Sequence, residues 1–331
     1  MCYHRTMLAA TKTTYGTEEV IVVRQIERPS PSENQLLIKV HCATVNRTDC
    51  GFLSGKPYIV RFFSGFPKPK MRITGSDFAG EVVETGSAVY DFKIGDRVFG
   101  FNDQGLCSHA EYVLIDQNEA IAHIPENVSF ENAVASLEGA HYALNMMNKV
   151  PITRSSKVLV NGATGAIGSA AIQQLKAQNI YVTAVGNTPN IARIKAMGAD
   201  IVYDYLKDDF TRDKDQYDFI FDAVGKSTFF KIKHLLKPNG IYISSELGPN
   251  WQNIWLAILT PTFSKKKVIF PLPKDLKLSI KTMSQLLSEN KFKPMIDRHF
   301  TLDQIHEAFK YVRSGEKQGN VILKIENKEP K

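Results

Sequence analysis

Gly162, Gly165 and Gly168 recur at every third residue after a β-branched run, Val158-Leu159-Val160. A helical pattern, Ser169-Ala170-Ala171-Ile172-Gln173-Gln174-Leu175, opens directly behind them. Strand, glycine turn and helix in that order are what holding a dinucleotide pyrophosphate requires. Gly162 frees the chain for a tight turn, Gly165 lets backbone approach the phosphates, and Gly168 lets the helix lie close to the strand. The helix N-terminus then offers free N–H groups and the positive end of its dipole. Ala163, Thr164, Ala166 and Ile167 complete the loop, so the whole of 162–168 is assigned to cofactor binding.

A second strand follows, Tyr181-Val182-Thr183-Ala184-Val185. An NAD site usually ends that strand with Asp or Glu, roughly 20 residues after the glycines, to hold the ribose 2′-OH. Here the place reads Gly186-Asn187-Thr188-Pro189-Asn190, and no Asp or Glu occurs between Glu138 and Asp200, whereas Lys176, Arg193 and Lys195 do. A carboxylate repels a 2′-phosphate, while small polar groups and cations accept one. The sequence therefore predicts NADP(H), with Gly186 and Asn187 at the cofactor.

Elements must exist to position these residues, and the chain is long enough for two domains: 331 residues, 43% hydrophobic and 23% charged. The formal charge of +7 is scattered, and its one tight run, Lys265-Lys266-Lys267, reads as a solvated loop, so no nucleic-acid partner is expected. The cysteines Cys2, Cys42, Cys50 and Cys107 form no Cys-x-x-Cys pair and read as reduced thiols of a cytoplasmic protein. No stretch approaches the roughly 20 apolar residues of a membrane span, and no membrane partner is expected. Residues 1–7 lack the apolar core of a signal peptide and read as a short leader before a strand near 8–12.

Short strands are predicted over 35–40, 77–86, 92–100 and 110–115, separated by turn signals, which suggests a partly closed antiparallel barrel. Beyond residue 126 the rhythm becomes alternating. A helix is predicted over 130–148, then the glycine-loop unit, strands at 201–203, 217–222 and 240–244, and a helix over 228–236. Alternation of this kind argues for a doubly wound parallel sheet. After residue 265 come a helix (275–288), a strand (295–300), a helix (302–314) and a strand (320–325), too little for an independent domain.

Several stretches together resemble the zinc-independent medium-chain dehydrogenases/reductases of the quinone oxidoreductase-like branch. They are Val45-Asn46-Arg47-Thr48-Asp49, Gly75-Ser76-Asp77-Phe78-Ala79-Gly80, Gly95-Asp96-Arg97-Val98, the loop 161–168, Ala196-Met197-Gly198-Ala199-Asp200 and Gly319-Asn320-Val321. The resemblance implies an α/β protein with a GroES-like barrel domain (1–125), a Rossmann domain (126–265), a tail (266–331) that rejoins the barrel domain, and an active cleft between the domains. It implies NADPH-dependent hydride transfer to a quinone or an enone or enal. An NAD(P)-dependent alcohol dehydrogenase-like enzyme and a non-enzymatic nucleotide-binding protein on the same fold are the alternatives.

Zinc-bearing relatives have a Cys at Asn46 and a Gly-His-Glu run at Gly75-Ser76-Asp77. Asn and Ser are poor zinc ligands, so no metal is expected, and Cys42 and Cys50 are read as packing residues. Without a Lewis acid, a conjugated acceptor remains reducible if the enzyme positions it and hydrogen-bonds its developing oxyanion. Asn46 is the candidate catalytic group by resemblance, Phe52, Tyr58, Phe62 and Phe63 the candidate acceptor pocket, and Tyr205, Val224 and Asn320 further cofactor residues. His141 is read as a structural helix-face histidine. Gly139 stands where many relatives have a nicotinamide-contacting Thr, and Pro189 where many have a cation. In relatives the Rossmann sheet pairs across a two-fold axis. The matching segment, with Ile254-Trp255-Leu256-Ala257-Ile258-Leu259 and Val268-Ile269-Phe270, is expected to supply an edge for a homodimer.

Overall fold

Strand Gln35–Thr44 is buried over most of its length, with Leu36, Ile38 and Val40 at zero exposure in the main core of its unit. Phe78, Val82, Val98, Val113, Ile115, Val321 and Leu323 meet the same core. These residues belong to a seven-stranded sheet in the computed structural model, which describes residues 6–325. Residues 1–5 of the expected leader, with Cys2, lie outside that range, and strand Thr6–Thr11 begins at once, hairpinned to Val22–Glu27.

The seven strands run Ile296–Thr301, Asn320–Lys324, Gln35–Thr44, Asp77–Thr85, Arg97–Phe101 and Ile121–His123, with Tyr112–Asp116 also on Gln35–Thr44. Register shifts at Leu37/Ile38 and Val40/Cys42 bend the long central strand so that it serves several neighbours. Helix Ile305–Ser314 closes this core with Ile305, Ala308, Phe309 and Val312, an i, i+3, i+4, i+7 stripe.

The second unit holds a six-stranded, all-parallel sheet in the order Ile201–Asp204, Tyr181–Gly186, Lys157–Asn161, Tyr217–Asp222, Leu236–Ser244, Lys267–Ile269. Numbered by sequence this is 3-2-1-4-5-6, the doubly wound dinucleotide-binding order, whose direction reverses between Lys157–Asn161 and Tyr217–Asp222.

Compactness divides the chain after Glu138 and after Asp275, rather than after 125 and 265. The reason is packing. Helix Phe130–Val134 lies on strands Gln35–Thr44 and Asp77–Thr85, with the Phe130 ring stacked 4.4 Å from His41. Strand Lys267–Ile269 completes the parallel sheet, so a cut at 265 would sever it.

Two expected helices are each shorter and broken in the structure. The span 130–148 is helix Phe130–Val134, a turn, and helix Glu138–Asn148, because its two ends pack in different units. The span 228–236 is one turn, Phe229–Ile232, and a 3-10 turn, Lys233–Leu235, before the strand that starts at Leu236. The apolar run 254–259 is not a strand. It sits on helix Gln252–Phe263, with Leu256 and Ala257 against the core of this unit.

Candidate active site

The glycine loop stands at the switch point of the parallel sheet. Strand Lys157–Asn161 ends, Gly162 turns with φ +88°, and Gly165 caps helix Ala166–Ala177. A Cβ on Gly162 would lie 2.8 Å from Val224 Cβ, and one on Gly168 would lie 2.1 Å from the Gly162 carbonyl oxygen. A Cβ on Gly165 would meet only the Gly162 oxygen, at 3.5 Å. The protein thus crowds Gly162 and Gly168 but leaves the space over Gly165 open, beside the first N–H groups of the helix, which have no intrahelical partner. A pyrophosphate fits that cradle.

Asp222, at the end of the neighbouring strand, pins the opposite lip. Its carboxylate accepts from Asn161 Nδ2 (3.0 Å), Tyr242 OH (2.7 Å) and the N–H groups of Val224 (3.3 Å) and Gly225 (3.1 Å). Burial raises its carboxyl above the usual range against these donors. Val224 is thereby held over Gly162.

Where the second strand ends, Asn187 Oδ1 accepts from Asn190 Nδ2 at 2.7 Å, and Gly186 O accepts from the N–H of Tyr205 at 3.0 Å, whose side chain is half exposed. The parallel register pairs Gly186 with Asp204. Asp204 therefore reaches the loop that the sequence shows without an acid. It accepts from Thr188 Oγ1 at 2.5 Å, the main cause of its lowered carboxyl pKa, and has Lys207 Nζ at 3.8 Å. Lys176, counted among the nearby cations, is paired to Asp200 at 2.8 Å.

Gly139 owes its identity to the same loop. A Cβ there would fall 2.7 Å from the Ala166 carbonyl carbon, so helix Glu138–Asn148 can meet the helix N-terminus only with glycine. His141, on that helix, is buried, and burial lowers its imidazole to about 4. It is neutral at physiological pH and cannot serve as an acid there.

The first unit holds a buried polar cluster. Asn46 is fully buried and heads helix Arg47–Ser54, its N–H donating to Asp49 Oδ2 at 2.8 Å. Its side-chain NH2 donates to Thr44 Oγ1 (2.5 Å) and Asp77 Oδ2 (3.2 Å), and Thr44 in turn donates N–H and hydroxyl to Asp77. Both amide protons are spent, and the buried Asn46 Oδ1 faces the N–H of Asp49 in a capping box without a hydrogen bond of full geometry. In this arrangement the side chain of Asn46 presents an acceptor.

Around it lie ionisable groups that spacing could not reveal. Burial raises Asp49 to about 6 and Glu138 to about 7, and pushes Asp77 well above the usual range. Burial lowers Lys12 to about 8, and Lys12 Nζ donates to the Phe52 carbonyl at 2.7 Å. His109 bridges Thr44 O (2.9 Å) and Thr74 Oγ1 (2.8 Å), and burial lowers it to about 4. Lys12, Asp49, Phe52 and Thr74 line one small cavity.

The remaining candidates separate. Phe52 faces that cavity, but Tyr58, Phe62 and Phe63 are exposed on the surface. Asn320 lies in the first unit, and its Nδ2 donates to the Met295 carbonyl at 3.1 Å.

Two family models match the chain: an alcohol dehydrogenase GroES-like domain over residues 32–139 and a zinc-binding dehydrogenase over 197–323. A quinone oxidoreductase structure from Coxiella burnetii is 26% identical, with TM-score 0.83, over 97% of this chain and 100% of that one. The chain belongs to the medium-chain dehydrogenases/reductases. Two curated members of this family each match 96% of the chain and 79% of their own length: a 2-methylene-furan-3-one reductase of Solanum lycopersicum, 28% identical, and an NADPH-dependent alkenal/one oxidoreductase of Arabidopsis thaliana, 27% identical.

One family model carries zinc in its description, and the donors here do not suit it. Among the described residues no three His, Cys, Asp or Glu side chains gather as a metal site requires.

Proposed function

We propose that this medium-chain dehydrogenase/reductase is an NADPH-dependent reductase of quinones or α,β-unsaturated carbonyls that works without zinc. The observation that carries this is the open cradle over Gly165 in a chain whose polar cluster offers Asn46 and Ser76 instead of metal ligands. Bound nicotinamide supplies the hydride. The glycine loop and Val224 fix the dinucleotide, and conjugation in the acceptor replaces the Lewis acid. In the first unit, Asn46 Oδ1, its orientation locked by Thr44 and Asp77, is the acceptor that the polar cluster offers to a hydroxyl. The proton comes from water.

The test is NADPH oxidation against quinones, enals and enones, with and without chelator. Turnover of conjugated acceptors, indifferent to chelator, is expected. Chelator-sensitive oxidation of simple alcohols assigns the chain to the alcohol dehydrogenases. Cofactor binding without any turnover assigns it a non-enzymatic role.

NADPH is expected to bind more tightly than NADH by about 1–3 kcal/mol, the worth of one or two charge-assisted hydrogen bonds to the 2′-phosphate. Asp204 favours the opposite choice if it leaves Thr188 for the ribose. Fluorescence titration of the unmodified chain and of Asp204→Asn decides: tighter NADPH than NADH binding in both supports the proposal, and an NADH preference that Asp204→Asn abolishes refutes it.

We place the protein in the cytoplasm, where Cys42, Cys50 and Cys107 stay reduced. We also infer a homodimer. Strand Lys267–Ile269 ends the parallel sheet, and helix Gln252–Phe263 beside it exposes Trp255, Ile258, Leu259 and Phe263. Light scattering at micromolar concentration should report twice the 37.1 kDa chain mass, and a clean monomer would refute pairing.

A further inference from the structure

Residues 56–72 read Lys-Pro-Tyr-Ile-Val-Arg-Phe-Phe-Ser-Gly-Phe-Pro-Lys-Pro-Lys-Met-Arg: five cations and no carboxylate, within a stretch free of Asp and Glu from Asp49 to Asp77. The structure fixes the polar side of this segment to its own unit. Tyr15 OH donates to Gly65 O (2.6 Å) and lies 2.7 Å from Ser64 Oγ, Lys70 N–H donates to Ser64 O (2.8 Å), and Arg61 Nε donates to Gly55 O (3.2 Å) between the rings of Tyr15 and Tyr58. Its apolar side chains are largely open to solvent. Phe62 is 83% exposed, Phe66 79%, Phe63 71%, Tyr58 68% and Ile59 54%. Lys56, Lys68, Lys70 and Arg72 are exposed beside them.

Single exposed apolar residues are ordinary, but five within nine residues on an anchored segment mark a contact surface. Lysine is depleted at protein–protein interfaces, and here lysines flank the aromatics. Aromatic rings that settle among headgroups, with cations drawn to anionic lipid, match both features. Among the described residues no helix is long and apolar enough to cross a membrane, so the attachment this chemistry supports is peripheral.

We propose that residues 56–72 dock the protein on an anionic phospholipid surface, by inserting Phe62, Phe63 and Phe66 at headgroup depth under electrostatic attraction from the flanking lysines. This reverses the sequence expectation of no membrane partner, and it does not depend on which acceptor is reduced.

The test is sedimentation of the full chain with vesicles of phosphatidylcholine containing about one third phosphatidylglycerol. Binding is expected to exceed that to pure phosphatidylcholine by about tenfold and to weaken as salt rises. The triple variant Phe62→Ser, Phe63→Ser, Phe66→Ser and the separate double variant Lys68→Glu, Lys70→Glu should each lose about tenfold in vesicle binding. Both should keep NADPH affinity, which reports the fold of the other unit; the charge variant decides if the aromatic one misfolds. No binding of the unmodified chain, equal binding to neutral vesicles, or indifference to the substitutions would overturn the proposal. A triple variant that turns from dimer to monomer, in a protein that binds no vesicles, would assign the patch to a second copy.

Discussion

Gly165→Val is expected to abolish NADPH binding and leave a folded protein. Gly165 has φ −77°, which any residue adopts, and a Cβ there approaches only the Gly162 oxygen, at an ordinary 3.5 Å. The fold therefore has little stake in this glycine. The added isopropyl group fills the space where the pyrophosphate meets the helix N-terminus, and the lost phosphate contacts should weaken binding by at least about 100-fold, or roughly 3 kcal/mol. Fluorescence titration with NADPH, alongside circular dichroism, checks both halves. Normal binding would remove the phosphate assignment, and an unfolded variant would show that the backbone itself needs glycine here.

Gly168→Ala should do the reverse, reducing stability before anything else. Its Cβ would sit 2.1 Å from the Gly162 oxygen and 3.1 Å from Ala163 Cα, both parts of the backbone turn that cannot rotate away. Overpacking of this kind costs about 1–3 kcal/mol and sometimes more, and in a protein of this size lowers Tm by several degrees. Calorimetry without cofactor is the measurement. An unchanged Tm would mean that helix Ala166–Ala177 is free to slide along its strand. The two glycines, three residues apart, then divide between ligand and fold, a distinction their common letter hides.

That contrast shows what the sequence could carry. The loop was legible because all its parts are local: strand, turn and helix follow within 157–177. The sheet order around it was legible in kind, since alternating strands and helices admit few arrangements. Asp204 was not legible. It follows Gly186 by 18 residues, and only the parallel register sets the two side by side. Lys12, Asp49 and Glu138 likewise meet in one core from distant parts of the chain, and no spacing rule reaches them. The run 254–259 was ambiguous for another reason: six apolar residues in a row have no period, so strand and helix read alike. The partners of Asn46 were not legible either, because its donors are claimed by Thr44 and by Asp77, which lies 31 residues on.

The pairing of Asn320–Lys324 with Gln35–Thr44 sets Ile322 opposite Thr44, 278 residues earlier. On a ribosome, the barrel unit cannot close until residue 324 has emerged, long after its first strands were made. The parallel-sheet unit is continuous from Gly139 to Asp275 and has all its strands in hand first. Synthesis thus favours a nascent chain with a finished nucleotide unit and an open-edged barrel. Contacts of such long sequence separation are the slow ones in folding. The interval in which strand Gln35–Thr44 waits with an unclaimed edge is where this protein is most exposed to mispairing and to chaperone capture.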